Sequence, residues 1–380
     1  MRIAPGHGER NILSARWPAV RQFHVGLFVL IALALFAFVV SGQHMPQEFT
    51  SPGWHQIPNT KLAEVCKRDD ATHGVVGCRA VIGMWNGGIA DTKRNRLVFW
   101  GGGHNDYYGN EVYALDLNSR KMERLTEATS PPVPCEEGQP DGHPSSRHTY
   151  DNLAYVAHAD LMYAFGGGLA CDKGMGSSST WVLNLETLTW KKMDAGKRRK
   201  PDGDRGFAVA AYDPMLHKVF LNDSYALWEY DYEKNSYLLR NSNATIDNGM
   251  TGAIDSERRL LILFGLGKVR AFKIGPGGNY AMQVWDNQVK GCEALRNAVY
   301  PGLAYDPDMR RIIGWAGGDA VYLFDPETKS CSSQTFPDGP GEQQENGTYG
   351  RFTYFPTLHV FGLVNDWRQD AFVLRLSPSR

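Results

Sequence analysis

The chain has 380 residues, 42% hydrophobic and 12% aromatic, with 41 glycines and a formal net charge of −1. That length suits one large all-β domain or two ordinary ones. The near-neutral balance gives no electrostatic reason to expect nucleic acid as a partner, so any charge-based recognition has to be local.

Taken in chain order, residues 1–42 stand apart. Arg2, Arg10, Arg16 and Arg21 precede the apolar run Val25 to Val40, "VGLFVLIALALFAFVV". This is the layout of a charged segment followed by a hydrophobic one. It is short for a free transmembrane helix and long for a cleaved core, so a signal peptide and an uncleaved anchor both stand. Either way the arginines hold the first end in the cytoplasm and the rest is exported, to the periplasm or the cell exterior. The expected division is 1–42, a cytoplasmic basic segment with signal peptide or anchor, and 43–380, an exported domain. The membrane is a partner only if the N-terminal helix stays uncleaved.

Six cysteines follow: Cys66, Cys78, Cys135, Cys171, Cys292 and Cys331. An even count in an exported chain points to disulfides, and no C-x-x-C pair suggests metal or redox chemistry. Pairing neighbours in order, 66 with 78, 135 with 171 and 292 with 331, is the favoured connectivity, although fewer bridges with free buried thiols would also fit.

The rest of the chain repeats one pattern. "ADTKRNRLVFWGGG" from Ala90 recurs as "YVAHADLMYAFGGG" from Tyr155, "YDPMLHKVFLNDS" from Tyr212, "IDSERRLLILFGLG" from Ile254 and "YDPDMRRIIGWAGG" from Tyr305. A degenerate copy, "YFPTLHVFGLVND", begins at Tyr354. Each reads as an apolar strand, a charged or Asp-Pro turn, and a second apolar strand ending at Gly-Gly or Asn-Asp. A third strand follows ("EVYALDL", "STWVLNL", "ALWEYDY", "AVYLFDP"), and then a fourth ("KMERLTE", "TWKKMDA", "SYLLRNS"). Short strands repeating at this period signal a β-propeller. Six copies predict six blades. The last copy stops after its third strand, "DAFVLRLSPSR", and "GWHQIPN" from Gly53 is expected to supply the missing fourth and close the ring.

Gly-Gly followed by a spaced Tyr or Trp resembles the kelch repeat, as in the central domain of galactose oxidase. The resemblance runs from Trp54 to Pro378. It implies an all-β, six-bladed kelch-type propeller, which the N-terminal run read above would precede as a signal-anchor helix, and it says little about activity.

In such a ring the first strand of each blade borders the central channel, and the loops leading into it form one rim. Those loops carry Arg79, Arg147 with His148, Arg205, Asn248, Arg296 with Tyr300, and Tyr349 with Arg351. The turn "HNDYY" of the first copy, His104, Asn105, Asp106, Tyr107 and Tyr108, is expected on the same rim, because antiparallel strands alternate direction. It reads as an ordinary blade turn or as a site in which His104 meets His148. Equivalent turns in other copies are plainer. Arg147 and Arg205 could instead bridge carboxylates such as Asp151 and Asp204, and Tyr300 and Tyr349 could simply pack. His143 lies in a long Pro/Gly-rich loop of the kind that often binds. His158 and His217 sit in the outward turns, where only solvation is expected.

Guanidiniums around a funnel suit an anionic ligand, and rim aromatics (Tyr107, Tyr108, Trp85) suit sugar faces. The expected partner is an acidic glycan or small saccharide. The expected chemistry, if any, is β-elimination on a uronate, as in propeller-fold polysaccharide lyases, with His104, His148 and Tyr349 moving protons. Arg79, Asn105, Asp106, Tyr107, Arg147, Arg205, Arg296, Tyr300 and Arg351 would bind substrate. No cofactor is assigned, and whether a metal joins His104 and Asp106 stays open. A copper oxidase similar to galactose oxidase needs a Tyr–Cys cross-link, for which paired cysteines leave no thiol. Sialidase S-x-D-x-G-x-x-W boxes are absent. A sugar epimerase similar to the sialic-acid mutarotases and a non-enzymatic, membrane-tethered binding module both remain.

Overall fold

In a computed structural model, residues 49–171, 175–195, 200–203 and 206–377 are described. The charged and apolar N-terminal segment lies outside them. No helix among the described residues is long and apolar enough to cross a membrane.

The chain is a six-bladed β-propeller. Six four-stranded antiparallel sheets follow one another, five of them in simple meander order. The first blade comprises Gly88–Asp91, Arg96–Trp100, Val112–Asp116 and Lys121–Arg124. The innermost strands of the other five are Leu153–Val156, Val209–Asp213, Thr251–Asp255, Gly302–Asp306 and Phe352–Phe355.

The last blade is completed by the strand Gly53–Gln56, which pairs antiparallel with Phe372–Arg375 in the register Gly53 opposite Arg375 and Gln56 opposite Phe372. Trp54 anchors it. Its ring meets Trp315 and Phe372 edge-on, each at 6.3 Å, and its indole N–H donates to the Asp319 carbonyl at 3.2 Å.

The near-continuous apolar strands have a simple cause. Each blade buries both faces, one against the preceding blade and one against the next, so the period of 2 carries apolar residues on both phases. In Arg96–Trp100, Leu97 and Phe99 face a core shared with Phe355, Val360 and Val373 of the last blade. Val98 and Trp100 face another, shared with Leu153, Met162 and Trp181 of the second. Four further cores fill the remaining gaps. The turns after the innermost strands are fastened by buried aspartates. The Asp213 carboxylate accepts from the Met215 amide, Asp255 from Arg258, and Asp306 from Asp308 and Met309, which is the local bonding that makes Asp a turn former.

Three disulfides form: Cys66–Cys78, Cys135–Cys171 and Cys292–Cys331. The first closes a loop within the connection between the closing strand and the first blade. The second joins the long connection after the first blade to a loop of the second blade. The third ties the connection before the fifth blade to that blade's outer strand Ser330–Thr335.

His158 and His217 do more than meet solvent. Their rings stack at 4.5 Å across the turns of the second and third blades, and His158 Nδ1 lies 2.8 Å from the Tyr212 hydroxyl, with Glu233 on its Nε2.

Candidate functional site

The turn His104–Tyr108 is fixed from two sides by its main chain. His104 N–H donates to the Leu169 carbonyl, and the His104 carbonyl accepts from Cys171. On the other side, the carbonyls of Asn105 and Asp106 accept from Val75 and Val76, and Tyr108 N–H donates to Thr72. The second blade contributes the two-residue strand Arg147–His148, paired with Gly168–Leu169. Gly103, at φ +81, lets the chains approach this closely: a Cβ there would sit 2.1 Å from the His148 amide nitrogen.

The result is an imidazole pair. The rings of His104 and His148 stack at 4.2 Å with 26° between planes. His148 is 1% exposed, and its Nε2 lies 2.9 Å from Asp106 Oδ2. Its Nδ1 has no hydrogen-bond partner in the protein. His104 is half-buried and reaches the rim. Burial lowers its pKa, repulsion from His148 lowers it further, and Asp106 partly opposes both. The neutral imidazole of His104, the less buried of the two rings, is favoured accordingly.

Beside the pair stands an aromatic collar. Trp85 lies 5.1 Å from the His148 ring, Tyr150 meets that ring perpendicularly at 6.0 Å, and Phe207 flanks Tyr150 at 6.5 Å. Tyr300 sits 4.9 Å from Tyr349 and donates its hydroxyl to Asn248 Oδ1 at 2.8 Å. Burial pushes the Tyr150 hydroxyl up to about 12. Tyr349 is 1% exposed and lies beneath Tyr150 and Tyr300 rather than on the surface.

The structure thus brings together His104, Asp106, His148 and, through Tyr150, the tyrosines at 300 and 349. It does not gather the arginines. Arg147 is 2% exposed and gives its donors to the carbonyls of Ser145, Gly166 and Glu137 and to Ser177 Oγ. Arg351 is fully buried and donates to the carbonyls of Asn86, Val364 and Gly347. Burial lowers both guanidiniums to about 10, so they stay charged at neutral pH. The physical reason is that loop carbonyls at the ends of the sheets lack ladder partners, and a forked five-donor side chain satisfies several at once.

Arg296, on the short helix Glu293–Asn297, donates to the Asp286 carbonyl at 2.8 Å. Arg79 is exposed at the start of the helix Ala80–Gly83 and borders a separate cavity of about 190 Å³ beside Cys66 and Cys78. Arg205 lies outside the described residues. Tyr107 is 3% exposed with its hydroxyl on Glu111, so it offers no stacking face, while Asn105 accepts from the Tyr108 hydroxyl at 2.8 Å. No grouping of three or more His, Cys, Asp or Glu side chains suited to a metal occurs among the described residues.

Sequence reading passed over Tyr150 and Phe207. Both stand in loops already marked for their arginines, and a search of those loops for aromatics as well as charges would have found them.

No family model matches the chain, and no curated protein matches it in sequence. Among solved structures, a structural-genomics protein of unknown function from Bacteroides thetaiotaomicron is similar at 11% identity with a TM-score of 0.52, covering 86% of this chain and 76% of that one. The structure of YjhT is similar at 12% identity with a TM-score of 0.52, covering 78% of this chain and 95% of that one. At such identities the likeness is one of fold, and the fold it supports is the six-bladed β-propeller.

Proposed function

We propose that this is an exported kelch-type propeller that binds a saccharide over the aromatic collar and moves a proton at the His104–His148 pair. The kelch assignment is supported by the repeated Gly-Gly and spaced aromatics, and export by the three disulfides together with the charged and apolar N-terminal segment. The observation that carries the reading is the pair itself. Two imidazoles from adjacent blades stack at 4.2 Å, one of them on a carboxylate, in a position the fold does not require.

On a uronate, His104 takes the C5 proton while the developing imidazolium is stabilised by Asp106. The electron pair forms the C4–C5 double bond as the C4–O bond breaks, and a collar hydroxyl, Tyr150 or Tyr300, protonates the leaving oxygen. The amide of Asn248, exposed beside Tyr300, is placed to hydrogen-bond the sugar carboxyl. A binding module without turnover is the second reading, favoured by Arg147 and Arg351 having their donors occupied within the protein.

The test is the purified full chain against a panel of acidic glycans, read by absorbance of the unsaturated uronate and in parallel by affinity. Turnover that falls about 10²–10⁴-fold in His104→Ala and His148→Ala, with affinity within a few-fold, supports the lyase. Binding without new absorbance in the wild type supports the module. Anomeric or epimeric interconversion without absorbance supports the epimerase.

A further inference from the structure

The repeat carries a residue that the histidine rim does not use. Four copies begin with tyrosine, and in the structure Tyr155, Tyr212, Tyr305 and Tyr354 hold the same place near the end of the innermost strand of four blades. All four border the central channel, a cavity of about 480 Å³. Its wall runs from the starts of the inner strands to the hairpin turns on the face opposite the histidines, and no residue of the aromatic collar belongs to it. Tyr349, wholly buried against Tyr150 and Tyr300, immediately precedes Gly350 of that wall.

Three of the four hydroxyls are tied to groups of the hairpin turns. Tyr155 donates to Asp160 at 3.3 Å, Tyr354 to Asp308 at 2.7 Å, and Tyr212 lies 2.8 Å from His158 Nδ1. With the hydroxyls held there, ring carbons are left to border the channel mouth. At the inner end lies Asp151, the one charged side chain among the described residues of the wall. It is 8% exposed, and its Oδ2 accepts a single backbone N–H, from Gly252 at 2.8 Å. Burial pushes this carboxyl up to about 7.

A carboxylate taken out of water with one amide partner is expensive unless a cation joins it. Tyrosine ring faces attract cations as well, and the volume is that of a small-molecule pocket.

We propose that the central channel is a second binding site, entered from the face opposite the histidine rim, for a slender ligand bearing a primary ammonium group that pairs with Asp151 and passes the four-tyrosine mouth. An anion is repelled at the inner end, and a neutral alcohol leaves the carboxylate uncompensated. The site stands whether or not the rim acts on saccharides.

The experiment uses the purified full chain in an amine-free buffer at pH 7.5, with n-hexylamine and 1-hexanol as probes in calorimetric titrations. Hexylamine is expected to bind at least tenfold more tightly than hexanol. Asp151→Asn keeps an acceptor for the Gly252 amide and should abolish that preference. Tyr305→Leu keeps an apolar side chain at the mouth and should weaken the amine several-fold. Equal affinity for the two probes, no binding of either at millimolar concentration, or an undiminished preference in Asp151→Asn would overturn the proposal. The wild-type comparison and Tyr305→Leu decide the matter even if Asp151→Asn does not fold.

Discussion

Arg351→Leu separates a structural guanidinium from a ligand-binding one. Arg351 is fully buried, and its fork reaches the Asn86 carbonyl at 2.9 Å, the Val364 carbonyl at 2.5 Å and the Gly347 carbonyl. Those three acceptors come from the loop before the first blade, the end of a strand in the last blade, and the loop between the fifth and sixth. The side chain therefore stitches the seam of the ring. Leucine replaces most of the aliphatic stem but leaves three buried carbonyls without their donor, at about 1–3 kcal/mol each. Allowing for partial relaxation and water entry, the expected cost is about 3–6 kcal/mol, a fall in melting temperature of about 4–9 °C for a domain of this size. Thermal unfolding by circular dichroism measures it, with binding to the acidic-glycan panel assayed on the same sample below the transition. Arg351→Lys supplies one point donor for three acceptors and should recover less than half of the loss. If Arg351→Leu melted like the wild type while losing saccharide affinity, the guanidinium would face ligand and the structural account would be wrong.

Three other outcomes are expected. Asp151 has its carboxyl pushed up to about 7 by burial, well above its unfolded value. The folded state thus holds the extra proton between about pH 4 and 7, and the wild type loses about 4 kcal/mol as pH rises across that window. Asp151→Asn should flatten this slope and raise stability at pH 8, and a chemical-denaturation series against pH that showed the same slope in both proteins would refute it. Replacing Cys292 and Cys331 by alanine opens a loop of sequence separation 39 and should cost about 4 kcal/mol. The Cys66–Cys78 pair, with separation 12, should cost about 3 kcal/mol, and the order of the urea midpoints checks the difference. Gly103→Ala places a Cβ 2.1 Å from the His148 amide at a positive φ. It should both lower stability and displace the imidazole pair, visible as altered His104 and His148 ring resonances, whereas unchanged resonances would show that the loops yield without moving the rings.

Much of the architecture was legible in the sequence because a propeller blade buries both faces, so "RLVFW" and its counterparts are apolar on both phases and end at glycines or at Asn-Asp. The closing strand was legible as a deficit, since the last copy lacks a fourth strand and Trp54 stands in a segment that could provide it. The cysteine pairing followed chain order, as expected. Strand direction put His104 and His148 on one rim, and left open whether the two rings would meet. Side-chain direction inside irregular loops was not legible. Arg147, Arg351 and Tyr349 occupy the rim loops, yet nothing in a loop's periodicity says whether a side chain turns toward ligand or toward unpaired carbonyls beneath it. For the same reason the His158–His217 stack was missed: two turns distant in sequence become neighbours only when adjacent blades are in place.

The pairing of Gly53–Gln56 with Phe372–Arg375 also sets an order of events. A chain made from its N-terminus produces this strand about 300 residues before its partner. Until Phe372–Arg375 emerges, the strand has nothing to pair with, and Phe352–Phe355 and Val360–Leu363 await a blade that is still incomplete. Five blades can assemble as they are synthesised, but the circle cannot close until the strand Phe372–Arg375 has been made. A stop codon a few residues before position 372 would remove the clasp of the whole ring along with one strand.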